Sequence, residues 1–185
     1  MQLQLQLLLL SLGLSIANGL LEYKITKATS KLQLTSAIEL RFPLVTAPEL
    51  SSLFELYLPR YQQKEGSVDR IDTFVATNIE SRSIVGAIHI QPRTLVIHDL
   101  TVDERFRRLG IASALLVRAL NEQRSLGKKA AAGEPPLQFY LSVINKNDAA
   151  RKLYESIGFR VQEGTPSFYT LAICPPIIIG MTLNL

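Results

Sequence analysis

Sulfur and imidazole are scarce in this chain. Its one cysteine, Cys174, excludes an internal disulfide and any site built from several thiolates. His89 and His98 are the only histidines, so a zinc centre lacks soft ligands and no metal site is expected. Cys174 stands before Pro175-Pro176 at the end of an apolar run, where a buried structural thiol is the plain reading and a catalytic cysteine the alternative. Aromatic residues make up 7% of the chain and are not interleaved with basic ones, so no nucleic-acid partner is expected. Charged residues are 19% against 47% hydrophobic, a balance that excludes a disordered polymer. The strongly apolar run at residues 5–17 is too short for a membrane span, and stable membrane association is not expected.

What is present fits a single domain with an ordinary buried core, at 185 residues. Residues 5–17 have the length of a signal-peptide apolar segment, and Ser15-Ile16-Ala17 resembles a small-residue cleavage site, although no Lys or Arg precedes them. Residues 24–36 are rich in Lys, Ser and Thr and carry no acid, as organelle transit sequences do. Residues 1–36 are therefore expected to be a targeting-like extension, an extra element of the fold being the alternative. Residues 37–174 are expected to form the domain and residues 175–185 an apolar tail without an assigned role.

Within the domain, residues 37–42 read as a strand. Thr46-Ala47-Pro48-Glu49 is a capping box ahead of a helical stripe ended by Pro59. Residues 71–79, 84–90 and 94–102 read as consecutive antiparallel strands. Ala112, Leu115, Leu116, Ala119 and Leu120 make a helical stripe ending at Gly127. Residues 128–136 read as a loop. Residues 137–143 form a strand reached from 94–102 through that helix, so a parallel crossover is expected. Ala150, Leu153, Tyr154 and Ile157 form a further stripe, with Gly158 in a helix-ending position, and residues 159–162 and 168–173 read as the last strands. The sum is a mixed α/β domain, antiparallel strands first and then two parallel strands, each feeding a helix, which would splay at their C-terminal ends and leave a slot.

Two motifs meet at that slot. Arg107-Arg108-Leu109-Gly110-Ile111-Ala112 lies between a strand and a helix, where backbone N–H groups and a helix N-terminus bind phosphate. Arg105, Arg118 and Arg124 are expected to crowd around it, and the net charge of +4 suits an anionic ligand. Further on comes Asn147-x-x-Ala150-x-x-x-Tyr154-x-x-x-Gly158-Phe159. In this order the two motifs resemble the GNAT N-acetyltransferase superfamily over roughly residues 37–173. Many members of that family have glycine where this chain has Arg108.

The resemblance implies a GNAT-like fold, a mixed sheet of about six to seven strands around a central splayed parallel pair, flanked by about four helices. It implies acetyl-CoA as co-substrate and transfer of its acetyl group to a primary amine. Small amines, amino acids, polyamines, protein N-termini and lysines all stand as acceptors. Arg107, Arg108, Leu109, Gly110, Ile111 and Ala112 would hold the pyrophosphate. The backbone of Leu100, Thr101 and Val102 would pair with pantetheine and polarise the acetyl carbonyl. Asn147 would help hold that end of the cofactor, its alternative being a helix N-cap. Tyr154 resembles the family's acid for the departing thiolate, against the alternative of a core tyrosine. His98 and Asp99 interrupt an apolar run, and as a pair they resemble the base side of small-amine relatives; a satisfied structural histidine is the other reading. His89 reads as structural. A non-catalytic acyl-CoA-binding module is the alternative function, and a membrane-attached interaction protein a third reading. A homodimer is left open. The need for acetyl-CoA argues for cytosol or an organelle and against secretion.

Overall fold

Side chains buried on both faces mark the middle of the sheet. The computed structural model describes residues 14–17, 21–41, 70–127, 137–162 and 178–184. Its strands are β1 (Leu14–Ala17), β2 (Leu21–Lys27), β3 (Asp72–Asn78), β4 (Ile84–Gln91), β5 (Val96–Val102), β6 (Gln138–Ile144), β7 (Arg160–Val161) and β8 (Ile178–Asn184). Its α-helices among the described residues are α1 (Lys31–Arg41), α2 (Ile111–Gly127) and α3 (Asp148–Ile157), and a 3-10 turn spans Glu104–Phe106. The strands form one sheet of eight in the order β1-β2-β3-β4-β5-β6-β8-β7. Among the described residues only β5 and β6 run parallel; the other pairs are antiparallel. The parallel crossover expected from the sequence is therefore present, with α2 as its connection.

The two faces are covered by different helices. Gly86 of β4 lies directly under Ile111 and Leu115 of α2. Its neighbour Ala87 packs with Val75 of β3 and Ala37 of α1 on the opposite face. The main core gathers Phe74, Ile88, Ile90, Leu115, Leu116, Phe139, Phe159 and Met181 on the α2 and α3 side. Alternation in β6 leaves Phe139, Leu141 and Val143 buried and Tyr140, Ser142 and Ile144 exposed.

Three parts of the chain differ from the sequence reading. Residues 37–41, expected as a strand, close helix α1. Ser30 and Gln33 cap it reciprocally: Gln33 N–H donates to Ser30 Oγ at 3.2 Å and Ser30 N–H to Gln33 Oε1 at 3.4 Å. Leu34, Ala37 and Ile38 are its buried stripe. Ahead of it, β2 pairs with β3 from Tyr23↔Asn78 to Lys27↔Phe74, so residues read as an extension are part of the sheet. The tail likewise contains β8, seated between β6 and β7, with Met181 and Leu183 buried. The helix expected from residues 46–58, the loop at 128–136, the strand at 168–173 and Cys174 lie outside the described residues.

Candidate active site

A slot opens where β5 leaves β6. The two strands pair only at Val96↔Tyr140 and Ile97↔Leu141, with Tyr140 N–H donating to Leu95 O at 3.1 Å. At that level the β4–β5 register slips: Ile90 faces Ile97, but His89 faces Asp99. The extra residue on β5 is a bulge, which bends the strand and ends its pairing with β6. A bulge is a feature of hydrogen-bond register and has no side-chain pattern, so the sequence could not reveal it.

The end of β5 turns into the loop through a short cap. Asp103 N–H donates to Val85 O at 3.0 Å, and the Asp103 carboxylate accepts from Arg105 N at 3.0 Å. The Arg105 guanidinium closes on the same carboxylate and holds its pKa below the ordinary value. Arg107 then reaches back, its Nε donating to Val102 O at 3.2 Å, and pairs with Glu104 at 3.2 Å. Two residues take left-handed backbone to complete the turn, Arg108 at φ +65° and Gly110 at φ +80°. Helix α2 starts immediately, and its first-turn N–H groups have no partner four residues back. They face a groove of about 520 Å³ lined by Leu100, Val102, Phe106, Arg107, Arg108, Gly110, Ile111, Ala112 and Ser113 from one side and by Ala149, Ala150, Lys152, Leu153 and Tyr154 from α3.

Not all the expected cations are there. Arg107 and Arg108 line the groove. Arg105 is turned to Asp103 and the Phe106 ring. Arg118 pairs with Glu122 at 2.9 Å and lies over Phe74, away from the loop. Lys152, a groove residue the sequence reading missed, stands beside Leu153 of the apolar stripe and three residues after Ala149, which also lines the groove. Leu109 is 40% exposed. Thr101 pairs with Ala87 and, by strand alternation, shares the α1 face with it while Leu100 and Val102 face the groove.

Helix α3 fixes Tyr154. Asn147 Oδ1 accepts from Ala150 N–H at 3.1 Å, which makes it the N-cap. At the other end Gly158, at φ +110°, donates to Glu155 O, and Phe159 N–H donates to Tyr154 O at 3.0 Å. This is a Schellman arrangement, whose usual hydrophobic contact is here the Tyr154–Phe159 edge-to-face pair at 5.9 Å. The spacing Tyr-x-x-x-Gly-Phe is thus the pattern needed to end the helix and pin the ring. Tyr154 is 8% exposed. Burial, and then the charge of Asp99, push its pKa up to about 12.

Behind Tyr154 lies a second, smaller chamber of about 200 Å³ in the splay itself. His98, Asp99, Ser142 and Asn147 supply its polar wall, and Leu100, Ala150 and Tyr154 are shared with the groove. Tyr154 therefore stands between the two spaces. Asn147 belongs to the chamber wall and not to the groove. His98 is exposed and its Nε2 lies 3.2 Å from Gln91 Oε1; His89 is buried, with Nδ1 2.9 Å from Thr73 Oγ1. A groove under a helix N-terminus, joined through a tyrosine to a carboxylate-bearing chamber, can hold a phosphate-bearing acyl carrier on one side and a cationic acceptor on the other.

Comparison with known proteins fits this geometry. A family model described as an acetyltransferase (GNAT) domain matches residues 69–161. No curated protein matches the chain. Among solved structures, a protein from Pyrococcus horikoshii OT3 aligns with a TM-score of 0.62 at 21% identity, over 89% of this chain and 99% of its own. The ribosomal-protein-S18-alanine N-acetyltransferase of Escherichia coli aligns with a TM-score of 0.60 at 20% identity, over 88% and 93%. A Bacillus anthracis protein described as a streptothricin acetyltransferase, in complex with acetyl coenzyme A, gives 0.53 at 22% identity, over 70% and 68%. At these identities the structures speak for the fold, and the family model, which covers half of the residues, speaks for the family: the chain belongs to the GNAT acetyltransferases.

Proposed function

We propose that the protein transfers the acetyl group of acetyl-CoA to a primary amine. The observation that carries this reading is the pair of spaces meeting at Tyr154. The groove under α2 offers backbone N–H groups, Arg108 and Lys152 to a diphosphate. Beyond Ile97 β5 no longer pairs with β6, and an extended pantetheine arm would lie along that edge, towards Val102 O where Arg107 Nε donates. The acetyl carbon would then sit beside Tyr154, within reach of an amine in the chamber. Acetyl-CoA in a relative of the same fold supports this choice of carrier.

The reaction breaks the C–S bond and forms a C–N bond; starting from an ammonium, two protons leave the nitrogen for solvent and the departing thiolate takes one up. An ammonium has no lone pair, so it must first lose a proton to solvent; the Asp99 carboxylate pairs with the ammonium and holds the nitrogen beside the acetyl carbon. Tyr154 serves the leaving group. With a pKa of about 12 its phenol stays protonated. Full transfer to a thiolate of pKa about 8.5 would be uphill by about 5 kcal/mol. Tyr154 therefore works as a hydrogen-bond donor to the developing thiolate, which takes its proton from solvent. The chamber, about 200 Å³ against about 520 Å³ for the groove, favours the slim end of a small amine or a single side chain. A compartment supplied with acetyl-CoA, cytosol or organelle, fits the same reading.

The test is thiol release from acetyl-CoA against a panel of primary amines, repeated with Tyr154→Phe. Turnover in that variant should fall by about ten- to a thousandfold while acetyl-CoA affinity holds. Equal turnover in the two proteins removes Tyr154 from the chemistry, and no thiol release with any amine removes the activity.

A further inference from the structure

Three polar side chains form a row across the sheet. Thr73 of β3 faces His89 of β4, and His89 faces Asp99 of β5. Directly paired residues share a face with Cβ atoms about 5 Å apart. The bulge makes the row: with Ile90 opposite Ile97, an unbroken register would set His98 against His89, and the slip substitutes Asp99. Thr73 and His89 are each 2% exposed, and Thr73 Oγ1 lies 2.9 Å from His89 Nδ1. Their neighbours on this face, Val75 and Ala87, are apolar. Burying a hydroxyl and an imidazole there costs about 1–3 kcal/mol for each polar atom left without a partner. The row ends in the chamber, whose wall includes Asp99. Each member of the His98-Asp99 pair thus has a partner position on β4, Gln91 for His98 and His89 for Asp99.

We propose that Thr73 and His89 are positioning residues that hold the Asp99 carboxylate ready for the acceptor's ammonium. Thr73 donates its hydroxyl proton to His89 Nδ1, which fixes the tautomer that carries its proton on Nε2. That N–H donates to Asp99, leaving the other carboxylate oxygen turned to the chamber. His89 touches neither the acceptor nor acetyl-CoA; it acts through Asp99. This deepens the acetyltransferase reading and rests on it. It also selects the acceptor: a cationic primary amine gains from a fixed carboxylate, and a neutral nucleophile does not.

A double-mutant cycle tests the proposal. His89→Gln, Asp99→Asn and the double variant are compared with wild type for amine kcat, amine KM and acetyl-CoA affinity. Thr73→Val, nearly the same shape, is measured beside them and carries the test if His89→Gln does not fold. His89→Gln should lower kcat/KM for the amine by about ten- to a hundredfold, the scale of one hydrogen bond to a charged group. Acetyl-CoA affinity should be unchanged, and Thr73→Val should act in the same direction. In the Asp99→Asn background, His89→Gln should have no further effect. An equal loss in both backgrounds, or acetyl-CoA affinity falling in step with turnover, overturns the positioning role and leaves the activity standing. A wild-type protein that acetylates no amine overturns both.

Discussion

Tyr154 owes its position to the residues that follow its helix. Gly158 supplies left-handed backbone and Phe159 the ring that Tyr154 meets edge-on. The same enclosure that pins the phenol also raises its pKa to about 12 from an ordinary 10. A raised pKa means that the folded state disfavours the charged phenolate. Stability is therefore unaffected by this group below pH about 10 and is lost as pH rises towards about 12. Two pH units at 1.36 kcal/mol each put the loss at up to about 3 kcal/mol. Urea unfolding from pH 9 to 12 should show wild type losing stability faster than Tyr154→Phe, which lacks the ionisation. Parallel curves for the two proteins would mean that the phenol is open to water in the folded state. Arg108 shows the opposite economy of design. Its φ of +65° costs an L-residue on the order of 1 kcal/mol, which glycine would not incur. In exchange the loop carries a charge on the groove wall.

At the scale of elements, legibility followed the strength of local signals. Helix α3 was readable because Asn147, Gly158 and Phe159 each have a job that few residue types can do. The strands β3, β4 and β5 were readable as β-rich runs between turns. Helix α1 was not, although Ser30-Lys31-Leu32-Gln33 is a capping box, because residues 24–36 have the composition of a transit sequence. Strand β8 was missed although Ile179, Met181 and Leu183 alternate with Gly180 and Thr182, the pattern of a half-buried strand. The bulge in β5 had no signal at all, and it decides where the slot opens. A second unmarked feature is Gly86. A Cβ there would stand 3.0 Å from both Ile111 Cγ2 and Leu115 Cδ1, so glycine is what lets the start of α2 close over β4. Gly86→Val should destabilise the protein by about 1–3 kcal/mol in thermal or urea unfolding. Because it pushes the N-terminus of α2 off the sheet, calorimetry should also show weaker acetyl-CoA binding. Lower stability with full affinity would separate the groove from that contact.

At the scale of the molecule, the candidate site draws on pieces of chain that only the fold unites. The groove takes residues from β5, the loop, α2 and α3, and the chamber takes residues from β5, β6 and α3. An unfolded chain offers acetyl-CoA no such set, so binding must stabilise the folded state by mass action. At a ligand concentration one hundred times Kd the gain is about 2.7 kcal/mol. For a domain of this size that raises Tm by roughly 5–10 °C. Gly110→Glu isolates the source of the gain. Among the described residues, none beyond its chain neighbours has an atom within 4 Å of a Cβ at Gly110, but φ of +80° makes any L-residue strained. The variant should melt below wild type without ligand. The informative quantity is the increment that acetyl-CoA adds to each. In the variant a carboxylate stands at the mouth of the groove where the diphosphate would lie, and the increment should vanish. An increment as large as that of wild type would mean that the anion binds elsewhere, and the α2 N-terminus would lose its assigned role.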